Sequence, residues 1–68
     1  MSQASQSLIR ITEVQRRTGF GKAWIYRLMS QGKFPASVKI GSRSIAFIES
    51  EIDEWINARI EESRKEVA

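Results

Sequence analysis

Cysteine and histidine are both missing from this 68-residue chain. Without them there are no disulfides, no thiol nucleophile, no zinc site of the usual kind and no imidazole base. No apolar run approaches the length needed to span a bilayer, and no signal-peptide pattern opens the chain. Acid is scarce over most of the length: residues 1–48 hold the single carboxylate Glu13. Proline occurs once, at position 35. What remains is enough for one small domain with one modest core.

Basic side chains fill the space the acids leave. Arg10, Arg16, Arg17, Lys22, Arg27, Lys33, Lys39 and Arg43 give residues 1–48 a charge of +7, whereas residues 49–68 carry −4. Solubility alone does not require such segregation. A basic body with an acidic C-terminal element is the pattern of a polyanion-binding surface with a solvated back.

Periodicity orders the chain. Residues 1–7 are small and polar and read as a disordered leader, and LIRI (8–11) alternates like a short strand. Thr12 and Gln15 have the spacing of a capping box for a helix over 12–18, which Gly19 ends in a left-handed cap. A second helix follows from about Lys22 to Gln31 and stops at Gly32. Gly21, Ile25, Leu28, Met29 and Gly32 share its inner face; Ala23, Arg27 and Ser30 lie opposite, with Trp24 and Tyr26 on the flanks. Phe34-Pro35 breaks the pattern, with Phe34 expected to be buried. VKI and SIAFI form a hairpin about Gly41-Ser42-Arg43. Ser50 reads as the cap of a third helix whose inner face holds Ile52, Trp55, Ile56 and the stem of Arg59. The domain is expected over 8–62, with 63–68 a frayed charged tail.

This order of elements is that of a small α+β protein, mostly α: a winged helix-turn-helix. In that geometry the second helix enters the major groove with its N-terminal outer face, which here offers Lys22, Ala23, Trp24, Tyr26 and Arg27. Arg27 can grip a guanine edge in bidentate fashion, and Lys22 suits a phosphate. Arg16 and Arg17 suit phosphates beside the groove. Lys39, Ser42 and Arg43 belong to the hairpin, which can follow the backbone or enter a narrow minor groove. Trp24 is left between partial burial and direct DNA contact. With no histidine, cysteine or glycine-rich phosphate loop, catalysis is not expected, nor are a cofactor, a metal or a small-molecule substrate.

The run ITEVQRRTGFGKAWIYRLMSQGKFPASVKIGSRSIAFIESEIDEWI closely resembles the AlpA family of short prophage-encoded regulators. The resemblance spans about residues 9–59 and rests on T-G-F at the corner, I-Y-R-L, G-K-F-P, V-K-I-G-S-R-S and E-W-I taken together. It implies an excisionase-like or MerR-like DNA-binding domain, in which Lys22, Tyr26 and Arg27 match the DNA-facing helix and Arg43 the wing. The chain departs from the family pattern at Gly21, where a serine is usual, at Trp24, where a small hydroxyl residue is usual, and at Phe47, which replaces a frequent tryptophan.

The expected partner is double-stranded DNA, in the cytoplasm and associated with the nucleoid. Transcriptional regulation of a prophage or genomic island is the first reading. An excision factor that bends an attachment site, with an integrase or further copies of itself as partners, is the alternative. A protein-interaction module that binds no DNA is a third.

Overall fold

The computed structural model describes residues 6–67, so most of the expected leader lies outside the described residues. Three strands and three helices follow one another as β1 (Leu8–Ile9), α1 (Ile11–Thr18), α2 (Lys22–Ser30), β2 (Val38–Lys39), β3 (Ile45–Ile48) and α3 (Glu49–Val67). The strands form one antiparallel sheet in the order β1-β3-β2. β3 is the uninterrupted apolar run IAFI because it is the central strand, with Ala46 and Phe47 both fully buried. The fold is α+β and mostly helical, as its periodicity implies.

Each helix contributes to one core. Val14 of α1, Ile25 of α2, Phe47 of β3 and Ile52 of α3 are fully buried, and Phe34 joins them from the segment after α2. Phe34 and Phe47 meet edge to face, with ring centroids 6.1 Å apart. Trp55 sits beside this core. Its ring is edge-on to Phe34 at 4.8 Å and to Phe20 at 6.0 Å, and its indole N–H donates to the Lys33 carbonyl at 2.9 Å.

Two expected helix starts are displaced, and each helix begins before its expected cap residue. α1 begins at Ile11, with Arg10 as its N-cap and no side-chain cap, rather than at a Thr12–Gln15 box. Ile11 packs against the core and shares a face with Val14, which draws it into the helix. A side-chain cap adds only about 1 kcal/mol, less than burying an isoleucine contributes. α3 begins at Glu49 rather than after a Ser50 cap, because β3 passes into it without a loop. The Glu49 N–H donates to the Ser7 carbonyl at 2.8 Å, and the Ser50 hydroxyl reaches only Gln6 Oε1, at 3.4 Å.

The corner between α1 and α2 is built from Thr18-Gly19-Phe20. Thr18 Oγ1 donates to the Val14 carbonyl at 2.9 Å and accepts the Phe20 N–H at 3.2 Å. Gly19 stands at φ 79°, and its N–H closes the helix on the Gln15 carbonyl at 2.7 Å. At its far end α2 stops in a Schellman turn. Gly32 has φ 70°, its N–H donates to Met29, and the Lys33 N–H donates to Leu28.

Arg17 ties α1 to α3. Its guanidinium donates to Glu13 at 2.8 Å on its own helix, to Glu49 at 2.7 Å and to Asp53 at 3.0 Å. Only 22% of its side chain is exposed. Arg16 shares Glu13, with Nε 3.0 Å from Oε1. Hydrogen bonds from Arg16 and then Arg17 hold the Glu13 carboxyl down at about 2, against an ordinary 4.5.

The two glycines around Phe20 are expected to respond in opposite senses. Gly19→Ala meets no steric obstacle but forces an alanine to positive φ, a loss of about 1–2 kcal/mol in chemical denaturation. Gly21 is the uncapped N-cap of α2 at φ −77°, with open space around a would-be Cβ. Gly21→Ser therefore adds a cap and is expected to gain a few tenths of a kcal/mol. Acid unfolding reads the Arg17 cluster. A carboxylate with a depressed folded pKa stabilises above its unfolded value, and that contribution fades as pH falls from 4.5 towards about 2. Over that window Glu13→Gln is expected to lose less stability than the wild type in parallel denaturation curves.

Candidate nucleic-acid interface

α2 turns one face inward and leaves the rest to solvent. Ile25 is fully buried, while Leu28 and Met29 pack against the same core. Lys22, Ala23, Trp24, Tyr26, Arg27 and Ser30 are all exposed. This arrangement follows from the 100° step per residue, which puts Ala23, Arg27 and Ser30 opposite Ile25. Trp24 and Tyr26, on the flanks, remain 45% and 44% exposed. They are the large side chains that a purely structural helix would cover.

Electrostatically the start of α2 is open to an anion. Its first turn has no acid, and no side chain caps it. The unfilled N–H groups there carry the positive end of the helix dipole, beside Lys22. Arg27 lies on the same exposed side, with its guanidinium carbon 5.8 Å from the Trp24 ring centroid.

The hairpin offers a second basic element. Its last paired residues are Lys39 and Ile45, and the Ile40 N–H donates to the Ser44 carbonyl at 2.9 Å. Gly41, Ser42 and Arg43 project beyond that bond as a three-residue tip, all exposed, and Lys39 is exposed on β2. Ile40 at the base of the tip is also exposed.

The sequence-derived candidates thus fall into three sets. Lys22, Ala23, Trp24, Tyr26 and Arg27 come together on α2, and Lys39, Ser42 and Arg43 on the hairpin. Arg16 and Arg17 do not join either group, because they lie on α1 with their nitrogens turned to Glu13 and, for Arg17, to Glu49 and Asp53. Among the described residues, Arg10, Lys22, Arg27, Lys33, Lys39 and Arg43 have no carboxylate within ion-pair distance. All six are exposed. Two features escaped sequence reasoning. The i,i+4 spacing of Glu13 and Arg17 was visible, but the reach to Glu49 and Asp53 was not. The i,i+3 spacing of Trp24 and Arg27 was likewise visible and signals the cation–ring contact.

Known proteins are similar to this sequence. A family profile described as "Prophage CP4-57 regulatory protein (AlpA)" matches residues 7–60. The chain is 33% identical over 55 residues to the uncharacterized protein ORF88 of Enterobacteria phage P4, covering 81% of this chain. It spans 62% of that protein's length, less than two thirds. It is also 33% identical over 58 residues to the DNA-binding transcriptional activator AlpA of Escherichia coli (strain K12), covering 76% of this chain and 83% of that one. The profile match extends from just before β1 through most of α3, and its span includes the exposed face of α2 and the basic hairpin. The chain belongs to the AlpA family, that of the prophage CP4-57 regulatory protein.

Proposed function

We propose that this protein is a sequence-specific transcriptional regulator of a prophage or genomic island that binds double-stranded DNA through a winged helix-turn-helix. α1 and α2 form the helix-turn-helix about the Gly19 corner, and the hairpin of β2 and β3 is the wing. The observation that carries this reading is the outer face of α2, where Lys22 and Arg27 stand exposed and unpaired beside an uncapped, acid-free helix start. A folded domain gains little by leaving such cations beside two half-exposed aromatic rings, whereas a polyanion satisfies all of them. The relation to AlpA, a DNA-binding transcriptional activator, supports the same conclusion.

Each residue has a distinct role in this arrangement. Arg27 reads a guanine edge from the major groove, and Lys22 with the first N–H groups of α2 holds a phosphate. Ala23 gives close approach on the outermost line of the helix, and Tyr26 offers its hydroxyl on the flank. Lys39, Ser42 and Arg43 engage the backbone or the adjacent minor groove. Arg16, whose side chain is mostly exposed, can exchange Glu13 for a phosphate. Arg17 acts instead as an internal strut, held by three carboxylates.

Selection from a random duplex pool, followed by footprinting across the neighbouring promoters and attachment site, tests the proposal. A footprint confined to a promoter is expected. Phased protection across an attachment site would replace regulation with excision, and binding without salt dependence would remove DNA as the partner. On the selected duplex, Arg27→Ala is expected to lose about 1–3 kcal/mol of discrimination while nonspecific binding changes little. Arg43→Ala is expected to reduce the salt slope of binding by about one unit.

A further inference from the structure

Trp24 is a large side chain of α2 whose position the fold alone does not explain. It lies on the flank of α2, is 45% exposed, and contributes nothing to the buried cluster. Yet it is fixed on one side. Its ring meets Phe20 edge to face at 6.4 Å and an interplanar angle of 73°. Phe20 in turn meets Trp55 at 6.0 Å and 76°. Trp55 is anchored by the Lys33 carbonyl. Three rings therefore run outward from the core, and the last presents its face to Arg27 at 5.8 Å.

We propose that Trp24 is a positioning residue: its indole is a platform that orients the Arg27 guanidinium for base reading. This rests on the assignment of α2 as the reading helix and adds the element that gives Arg27 a direction. Arginine is long and flexible, and reading a base edge needs its planar fork in a defined orientation. Arg27 has no carboxylate among the described residues to set that orientation. An indole supplies it through the quadrupole of its ring face, without competing for the guanidinium N–H donors. A carboxylate would hold the arginine equally well but would occupy those donors and oppose phosphate. Tryptophan has only two side-chain torsions, and Phe20 braces it, so the platform is itself well defined.

The consequence differs from both simple readings of this residue. A packing role changes affinity for every duplex together, through stability. Direct contact with DNA makes the effects of Trp24 and Arg27 add. A platform acts only through Arg27, on discrimination rather than on the phosphate-driven part of binding.

A double-mutant cycle on the duplex selected by the wild type, with one base pair altered as competitor, tests this. Trp24→Leu is expected to lower the ratio of the two affinities about two- to fivefold, the scale of an exposed cation–ring contact. The salt slope should stay unchanged. Trp24→Phe, which keeps a ring face, should recover part of the loss. In an Arg27→Ala background Trp24→Leu should have no further effect on the ratio. Additive losses, or an equal fall for both duplexes, would overturn the proposal.

The free protein provides a readout that needs no DNA. Ring-current shifts of the Arg27 Cδ protons in NMR spectra should vanish in Trp24→Leu and persist in part in Trp24→Phe. Shifts that are the same in wild type and Trp24→Leu would show that no platform exists. A wild type that keeps the shift but selects no preferred duplex would instead overturn the reading role of α2, and with it the purpose of the platform.

Discussion

The orientation of α2 depends on Trp55. This single side chain on α3 touches what comes immediately before α2 and what comes immediately after it. Phe20, in the corner, lies against one edge of its ring system, while Phe34 and the Lys33 carbonyl, just past the Schellman turn, hold the other side. A nine-residue helix is too short to be stable from its own hydrogen bonds. Holding it at both ends from a third element gives it a defined angle as well as its existence. The inward residue Ile25 then fixes rotation about the axis, and the outward set of side chains follows.

Charge is distributed on the same plan. The acidic side chains of α3 do not simply balance the basic body. Glu49 and Asp53 are spent on Arg17, which fastens α1 to the start of α3. The remaining cations of α2 and the hairpin are left without partners among the described residues. Neutralisation at the α1–α3 seam and its absence on α2 together concentrate positive potential where an anion can approach. The same segregation that is visible as a +7 body and a −4 tail in the sequence is therefore used in two ways.

Much of this was legible in the residues, and the failures share a cause. The Gly19 and Gly32 turns, Phe34 and the Ile25, Leu28 and Met29 face of α2 were readable because turn chemistry and helical period are local signals. Gly21 and Gly32, expected on that face, are instead exposed outside the helix. The three-residue tip at Gly41-Ser42-Arg43 followed from two apolar runs around small residues. The Thr12 and Ser50 caps were misread because each competes with a partner distant in sequence. Ile11 is drawn into α1 by the core, and the Glu49 N–H is taken by Ser7. Arg17 finds its carboxylates 32 and 36 residues away, beyond any spacing rule. At the candidate interface the identity of the outer face of α2 was legible. The contact of Arg27 with the Trp24 ring was legible only as an i,i+3 spacing, since its geometry depends on rotamers and on a brace from Phe20.

The direct passage of β3 into α3 also makes closure of the domain a long-range contact. β1 pairs Leu8 with Ile48, and Ser7 receives the N–H of Glu49 one residue later. Closing that contact spans about 40 residues, an entropic cost that local turns do not bear. While the chain emerges from the ribosome, α1, its corner and α2 are complete before their covering strand and α3 exist. The helical pair can form early but has nothing to bury its apolar side against. The final strand and the helix fused to it supply the contacts that cover this side, from residues far along the chain.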